Sequence, residues 1–332
     1  MSFLNNLVDS FQSVVESVVE PSQSFSSSTA SVPNITLKIN GRNFRLTRLL
    51  GEGGFALVYL AEDDNKDLFA VKVIRCKTGN EVVEKAKREA IITDRFQHEN
   101  IIKIVDMCLI KEEDGSKTVY IIMPFYKRGN LQDLMNSNNC QGKHLPERHL
   151  LTLFRGVCQG VLALSNYKTK TGRHIPWAHR DIKPANVLLS DDYKVPILMD
   201  FGSALPARIE ILDRKIAMAE QDNAAENCSM PYRAPELFDV KVGTTLTEKV
   251  DVWSLGCTLF AMAYGESPFE MTVNQQGGAL PLAVLNRQFY FPHQSHYSRQ
   301  FQDLISWMLT SDPKSRPDIT KVVEVLDGIL TE

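Results

Sequence analysis

Apolar positions change their spacing several times along this chain, and each change marks an element. Residues 3–19 carry Phe3, Leu4, Leu7, Val8, Phe11, Val14, Val15, Val18 and Val19 at intervals of three and four, a single stripe on a helix. Asn5, Asn6, Asp9, Ser10, Gln12, Ser13, Glu16 and Ser17 fill the opposite face. Residues 21–33, PSQSFSSSTASVP, read as a flexible Ser-rich linker. From about Ile35 the spacing shortens. Alternation over Asn43–Leu50 and Leu68–Ile74 predicts strands, and 81–96 predicts a helix. After Gly129 helical periods dominate, over Leu131–Met135, Glu147–Ser165, Val250–Tyr264 and Gln300–Leu309. A strand-rich start followed by a helical remainder predicts two lobes of an α+β protein.

Composition narrows the class. The chain has 332 residues, 43% of them hydrophobic, enough for a packed core. A net charge of −3 gives no electrostatic reason to expect nucleic acid as a partner. Cys76, Cys108, Cys140, Cys158, Cys228 and Cys257 lie far apart with no C-x-x-C pair, which predicts reduced thiols of a cytosolic protein rather than a zinc site. No basic region precedes the first apolar positions, so no secretory signal is expected, and no run of 18 apolar residues exists to span a bilayer.

Candidate chemistry begins at Gly51-Glu52-Gly53-Gly54-Phe55-Ala56-Leu57-Val58, between two strands. Phosphates need close backbone approach and N–H donors, and glycine permits both. No Gly-Lys-Ser/Thr follows, so this is not a Walker loop. Fourteen residues after Val58, Lys72 stands in the apolar strand Ala70-Val71-Lys72-Val73. A lysine there is costly without an anionic partner. It suits α- and β-phosphates if a helix carboxylate holds it, with Glu89 the candidate and Glu84 the fallback. Met123-Pro124-Phe125-Tyr126 ends an apolar strand and reads as a connector where Pro124 offers a carbonyl and Tyr126 an N–H to adenine, with Asn130 placed for the ribose.

The strongest signal is His179-Arg180-Asp181-Ile182-Lys183-Pro184-Ala185-Asn186, followed fourteen residues after Asn186 by Asp200-Phe201-Gly202, and later by Ala234-Pro235-Glu236. Taken in order, these motifs resemble the protein-kinase signature set over about 35–330. The resemblance implies a bilobal kinase fold: a small antiparallel N-lobe sheet with one helix (35–123), a hinge (124–129) and a larger helical C-lobe (130–330). It implies ATP as substrate, protein hydroxyls as acceptors, and Mg²⁺ or Mn²⁺ as cofactor. Phosphoryl transfer needs mostly positioning and charge neutralisation. Asp181 would orient the substrate hydroxyl and accept its proton. Lys183 would neutralise the transferring group and mark serine/threonine specificity. Asn186 and Asp200 would give Mg²⁺ hard oxygen ligands, and Gly202 would permit a sharp turn. Val58, Ala70, Met123 and Leu188 belong to the nucleotide site on the same resemblance. Arg180, Ser229, Glu236, Asp251 and Arg316 match its supporting positions: Asp251 as acceptor for the catalytic-loop backbone, Arg316 as buried partner of Glu236, Ser229 as a contact of Asp181.

Gly51–Ala56, Pro124–Leu131, Leu198–Ser203 and Cys228–Phe238 further resemble the Numb-associated kinase family, nearest its myristoylated and palmitoylated branch and fungal vacuolar-membrane relatives. Residues 204–228 contain no Ser, Thr or Tyr, so no hydroxyl there can carry a phosphate. The resemblance implies a helix within 213–226, and Glu220 or Glu226 is expected to meet Arg180 in place of phosphate. Ser2 and the lack of cysteine before Cys76 leave no acylation site of the branch's kind. The stripe at 3–19 would serve instead in a membrane interface, making the enzyme cytoplasmic and peripheral on an endomembrane such as vacuole or Golgi, or would dock in a partner's groove or on the kinase domain itself. Its polar face lacks basic residues. Residues 166–177, with Lys168, Lys170, Arg173 and His174, read as a solvated surface insert. The competing reading is a pseudokinase that binds nucleotide without turnover; Lys72, Asp181, Asn186 and Asp200 are all present against it.

Overall fold

A computed structural model describes residues 35–53, 56–76, 81–112 and 115–331. The stripe at 3–19 and the Ser-rich run lie outside the described residues. The described chain forms two compact units: residues up to Gln97 with Ile102–Phe125, and His98–Ile101 with Tyr126 onward.

In the first unit, β1 (Thr36–Ile39), β2 (Arg42–Gly53), β3 (Ala56–Asp63) and β4 (Leu68–Cys76) precede α1 (Glu81–Arg95), β5 (Asp106–Lys111) and β6 (Lys117–Pro124). The strands form one antiparallel sheet in the order β1-β2-β3-β4-β6-β5. β1 was not among the strands expected. It pairs Ile39 with Arg42 across Asn40-Gly41, both at positive φ (47° and 82°), the two-residue turn that an Asn-Gly pair favours.

Successive strand residues face opposite sides of a sheet, and the two sides bury different sets. Leu37, Phe44, Leu46, Val71, Ile110 and Ile122 pack on one. Ile74, Met107, Val119 and Ile121 pack on the other with Val83, Ala86 and Ala90 of α1. Lys72 pairs with Ile121 across the sheet, so it shares the α1 side. Its neighbour Val71 points the other way.

The second unit contains α2 (Leu131–Cys140), α3 (Glu147–Ser165), β7 (Trp177–Ala178), β8 (Val187–Leu189), β9 (Pro196–Leu198), β10 (Leu205–Pro206), β11 (Ile209–Glu210), α4 (Arg214–Asn227), β12 (Thr245–Leu246), α5 (Lys249–Tyr264), α6 (Pro268–Gln276), α7 (Leu280–Leu285), α8 (Arg299–Met308) and α9 (Ile319–Thr331). Every residue of α5 from Val250 to Ala263 is buried. A helix apolar on all sides has to run through a core rather than over it. Its hydroxyls donate to backbone carbonyls, Thr258 to that of Ser254 (2.8 Å) and Ser254 to that of Tyr232 (2.7 Å).

One close approach sets the position of β9. A side chain at Gly160 of α3 would meet the Asn100 carbonyl oxygen at 2.9 Å. Glycine there lets the chain at Asn100 lie against the helix. That carbonyl accepts from the Leu198 N–H (2.8 Å), and the Asn100 amide donates to the Pro196 carbonyl (2.9 Å). β9 is thereby fixed two residues before Asp200.

The stretch 166–177 exposes Lys168, Lys170, Arg173 and His174, as a solvated insert would, and it is also ordered. Lys168 bridges His174, Thr169 N–H donates to the Arg173 carbonyl (2.9 Å) and Ile175 N–H to the Tyr167 carbonyl (3.0 Å), which makes it a short hairpin. The strand-rich first unit and helical second unit give the α+β class expected from the sequence.

Candidate active site

In the first unit, the ammonium of Lys72 meets the carboxylate of Glu89 at 2.6 Å, both side chains largely shielded. Glu89 sits one residue from Ala90 and three from Ala86, on the buried face of α1, so helix packing aims it at the sheet. Glu84, the alternative, pairs instead with Lys87 at the surface (3.0 Å). Gly51 pairs with Val58 and Gly53 with Ala56 across β2–β3; Gly54 lies outside the described residues. Ala70 pairs with Met123, and Phe69 with Pro124, at the end of β6.

In the second unit, the chain from His179 to Asn186 is held from beneath by α5. The fully buried Asp251 carboxylate accepts from the His179 N–H (2.6 Å) and the Arg180 N–H (2.8 Å). Burial pushes this carboxyl up, opposed by the charge of His179 and by those two N–H donors. Arg180 takes a left-handed backbone (φ 68°), uncommon for a residue other than glycine, with its N–H bonded to Asp251 and its side chain to Glu220. Its guanidinium donates from Nη2 to Glu220 of α4 at 2.8 Å, with Arg180 3% and Glu220 16% exposed. Glu226 is exposed on another face of α4.

Asp181 is the centre of the loop. Its carboxylate accepts from Asn186 Nδ2 (2.9 Å) and the Ser229 N–H (2.8 Å), and lies 2.9 Å from Lys183 Nζ. Lys183 also donates to Ser229 Oγ (2.7 Å). Burial alone would raise the Asp181 carboxyl. The hydrogen bond and charge of Lys183, with the Ser229 bonds, prevail and hold it below the usual carboxylate range. The group is therefore an ionised acceptor near neutral pH.

Asn186 spends its amide nitrogen on Asp181, on both the carboxylate and the carbonyl (2.8 Å). Its Oδ1 is the atom left to face a ligand. The Met199 N–H donates to the Asn186 carbonyl (2.9 Å), which places the residue before Asp200 against Asn186. Asp200 is exposed, and it is Asp200 itself that makes the left-handed turn (φ 66°); Gly202 follows in the short 3₁₀ turn Phe201–Ser203 without a positive φ. Two hard oxygen donors suit Mg²⁺, which keeps waters and substrate phosphates as its other ligands. Among the described residues no group of three or more His, Cys, Asp and Glu converges, so the donor set does not resemble a zinc cage.

Other expected positions serve the scaffold. Asn130 caps α2, its side-chain oxygen accepting from the Asp133 N–H while Asp133 accepts from the Asn130 N–H (3.0 Å each), which leaves its amide NH₂ for a ribose. Leu188, half-buried on β8, bridges Asn130; the Tyr126 carbonyl accepts from the Gly129 N–H (3.2 Å). Arg316 forks onto Glu236 (2.7 and 2.9 Å), donates to the carbonyls of Thr310, Lys249 and Ser311, and lies over the Trp253 ring.

Sequence reasoning missed the clamp on α4. Asp213 caps its start by accepting from the Ile216 N–H (2.8 Å), and Ser203 Oγ donates to the Asn227 carbonyl at its end (2.6 Å). An Asp immediately before a run of helix formers was the available signal for the first. Arg233 closes the segment by donating to the Cys228 carbonyl (2.7 Å).

A paired lysine and glutamate on the sheet unit and, in the second unit, a buried loop whose aspartate is bonded to Asn186 and Ser229 match what the sequence motifs of a kinase-type phosphotransferase lead one to expect. The Protein kinase domain family matches residues 44–325. The serine/threonine-protein kinase ppk13 of Schizosaccharomyces pombe is 35% identical over 319 residues, covering 89% of this chain and 92% of the relative. Serine/threonine-protein kinase 16 of Homo sapiens is 37% identical over 295 residues (89% and 92%), and the serine/threonine-protein kinase ENV7 of Saccharomyces cerevisiae 32% over 345 residues (89% and 94%). The chain belongs to the protein kinase family, and it is a serine/threonine protein kinase.

Proposed function

We propose that Asp181, held by Lys183, Asn186 and Ser229, orients a substrate serine or threonine hydroxyl and accepts its proton as the γ-phosphoryl of ATP is transferred. Lys183 neutralises charge on the transferring group. Lys72, aimed by Glu89, binds the α- and β-phosphates, and Gly51, Gly53 and Gly54 with Val58, Ala70, Met123, Pro124, Tyr126, Asn130 and Leu188 belong to the nucleotide site. Asn186 Oδ1 and the Asp200 carboxylate would hold Mg²⁺, which supplies neutralisation of phosphate charge when bound. The observation that carries this reading is the Asp181 carboxylate, kept ionised by a lysine two residues away that also contacts Ser229. The test is transfer of labelled γ-phosphate to a Ser/Thr peptide array; Asp181→Asn protein that labels as fast as wild type sinks the assignment.

The chain further reads as a member of the Numb-associated branch. The quoted motifs support this, as does α4, which stands where the branch resemblance implies a helix. The Arg180–Glu220 pair supports activity without phosphorylation of residues 204–228, because a carboxylate already neutralises Arg180. Phosphatase-treated enzyme should keep its rate; loss of it refutes this part. The stripe at 3–19 supports peripheral membrane attachment and a role in membrane trafficking at vacuole or Golgi. Leu7→Asp/Phe11→Asp protein that fractionates with membranes as wild type does removes that part.

A further inference from the structure

We propose that the hairpin at residues 167–175 is an electrostatic contact for a bilayer containing anionic lipid. The stretch Tyr167-Lys168-Thr169-Lys170-Thr171-Gly172-Arg173-His174-Ile175 holds three permanent cations and no carboxylate, in a chain whose net charge is −3. Lys168, Lys170, Arg173 and His174 are all exposed. No described carboxylate forms an ion pair with Lys168, Lys170 or Arg173. Cations in an intramolecular network would face acids of their own chain; these three are exposed and make no such pair with a described carboxylate.

The hairpin is built to hold that arrangement. The Gly172 N–H donates to the Thr169 carbonyl (2.9 Å) in a tight turn where Gly172 takes φ 80°. Thr169 Oγ1 accepts from the Arg173 N–H (3.1 Å) and shares a hydrogen bond with Thr171 Oγ1 (2.9 Å). His174 reaches back to the Ser165 carbonyl (2.8 Å), tying the hairpin to the end of α3. At its other end the Pro176 carbonyl accepts from the Ala207 N–H (2.8 Å). The cations are thus presented by ordered backbone, with little ordering left to do on contact.

The shape selects the occupant. A peptide is gripped by a groove or a free strand edge lined with side-chain pockets. Here residues 170–174 form an exposed tip, and both hairpin strands are short. A projecting tip of cations matches a plane of negative headgroups, where attraction needs charge and proximity alone. The same contact fills a gap in the attachment proposed above. The apolar stripe has no Lys or Arg beside it, the first in the chain being Lys38, and stable membrane binding generally takes two signals. This inference adds to that reading and is separable from it.

The test measures co-sedimentation of the full chain with phosphatidylcholine vesicles, with and without phosphatidylserine, at low and physiological salt. Wild type should partition onto the anionic vesicles, less so in salt. Lys168→Glu/Lys170→Glu/Arg173→Glu should weaken that partitioning by about 100-fold, with melting temperature and labelling of a neutral peptide in solution unchanged. The inference is overturned if wild type ignores phosphatidylserine, or if the charge-reversed protein partitions within a few-fold of wild type. Full-chain Leu7→Asp/Phe11→Asp separates the two readings. If it alone loses binding, the stripe stands and the hairpin falls; if only charge reversal loses binding, the hairpin stands and the stripe falls. Charge reversal that lowers kcat/KM on an acidic peptide while vesicle binding persists identifies an acidic protein as the partner and overturns the lipid assignment.

Discussion

Arg180 and Glu220 lie forty positions apart in the chain and meet at 2.8 Å, in a setting almost closed to water. Arg180 Nη1 is buried without a hydrogen-bond partner, so Glu220 is what the guanidinium has to offset its burial. Glu220→Ala should therefore destabilise the fold by about 1–3 kcal/mol, the cost of a buried group left unsatisfied. Because Arg180 adjoins Asp181, kcat should fall too, roughly 10- to 100-fold. Thermal melts and steady-state rates check both. The double-mutant cycle with Arg180→Ala should show coupling of about 1 kcal/mol or more.

Asp181 gives a prediction in pH. Its native pKa lies below the ordinary carboxylate value. Such a group contributes stability that is present above its unfolded-state pKa and lost as pH falls through its native one. Lys183→Ala removes the main influence that lowers it and leaves burial, so the pKa should move upward. The acid limb of the kcat/KM profile should then lie at higher pH in Lys183→Ala than in wild type. Asp181→Asn should lower kcat by about 10²–10⁴ at all pH values.

The two glutamates of α1 should behave differently although they lie five residues apart. Glu89 holds Lys72, and Glu84 holds Lys87 on the surface. Glu89→Gln should reduce kcat/KM for ATP about 10- to 100-fold by loosening the lysine. Glu84→Gln should stay within about twofold, the range of an exposed helix pair. Parallel ATP titrations decide it.

Arg316 is a structural test. Its guanidinium is fully buried and forks onto Glu236. Arg316→Ala should cost about 3–5 kcal/mol by leaving Glu236 unpaired. Arg316→Lys should recover part of this, since it restores charge without the planar fork. Denaturant midpoints measure the order.

What could be read from residues alone was what local chemistry dictates. Asp181, Lys183 and Asn186 sit within one short loop, so their mutual contacts are local, and α3 is visible over Glu147–Ser165 because its buried face repeats at helical period. Long-range geometry was not legible. Nothing near Asn100 announces that it will pair with Pro196, ninety-six positions later, in space left by Gly156 and Gly160. From sequence, Asn130 reads only as a ribose contact, which misses its helix cap although Asn-x-x-Asp is also a capping pattern. Glu220 and Glu226 could not be separated by type. Six residues on a helix of 3.6 per turn point them in different directions, and only the docking of α4 decides which one faces Arg180.

The clamp on α4 has an implication for the cell. Asp213 and Ser203 pin the two ends of a segment, residues 204–228, that has no hydroxyl for a second enzyme to phosphorylate. If the enzyme works without phosphorylation there, as proposed above, its output would scale with how many copies are synthesised, how long they survive and where they are kept, so dosage and address would take over the work that an on-switch does elsewhere.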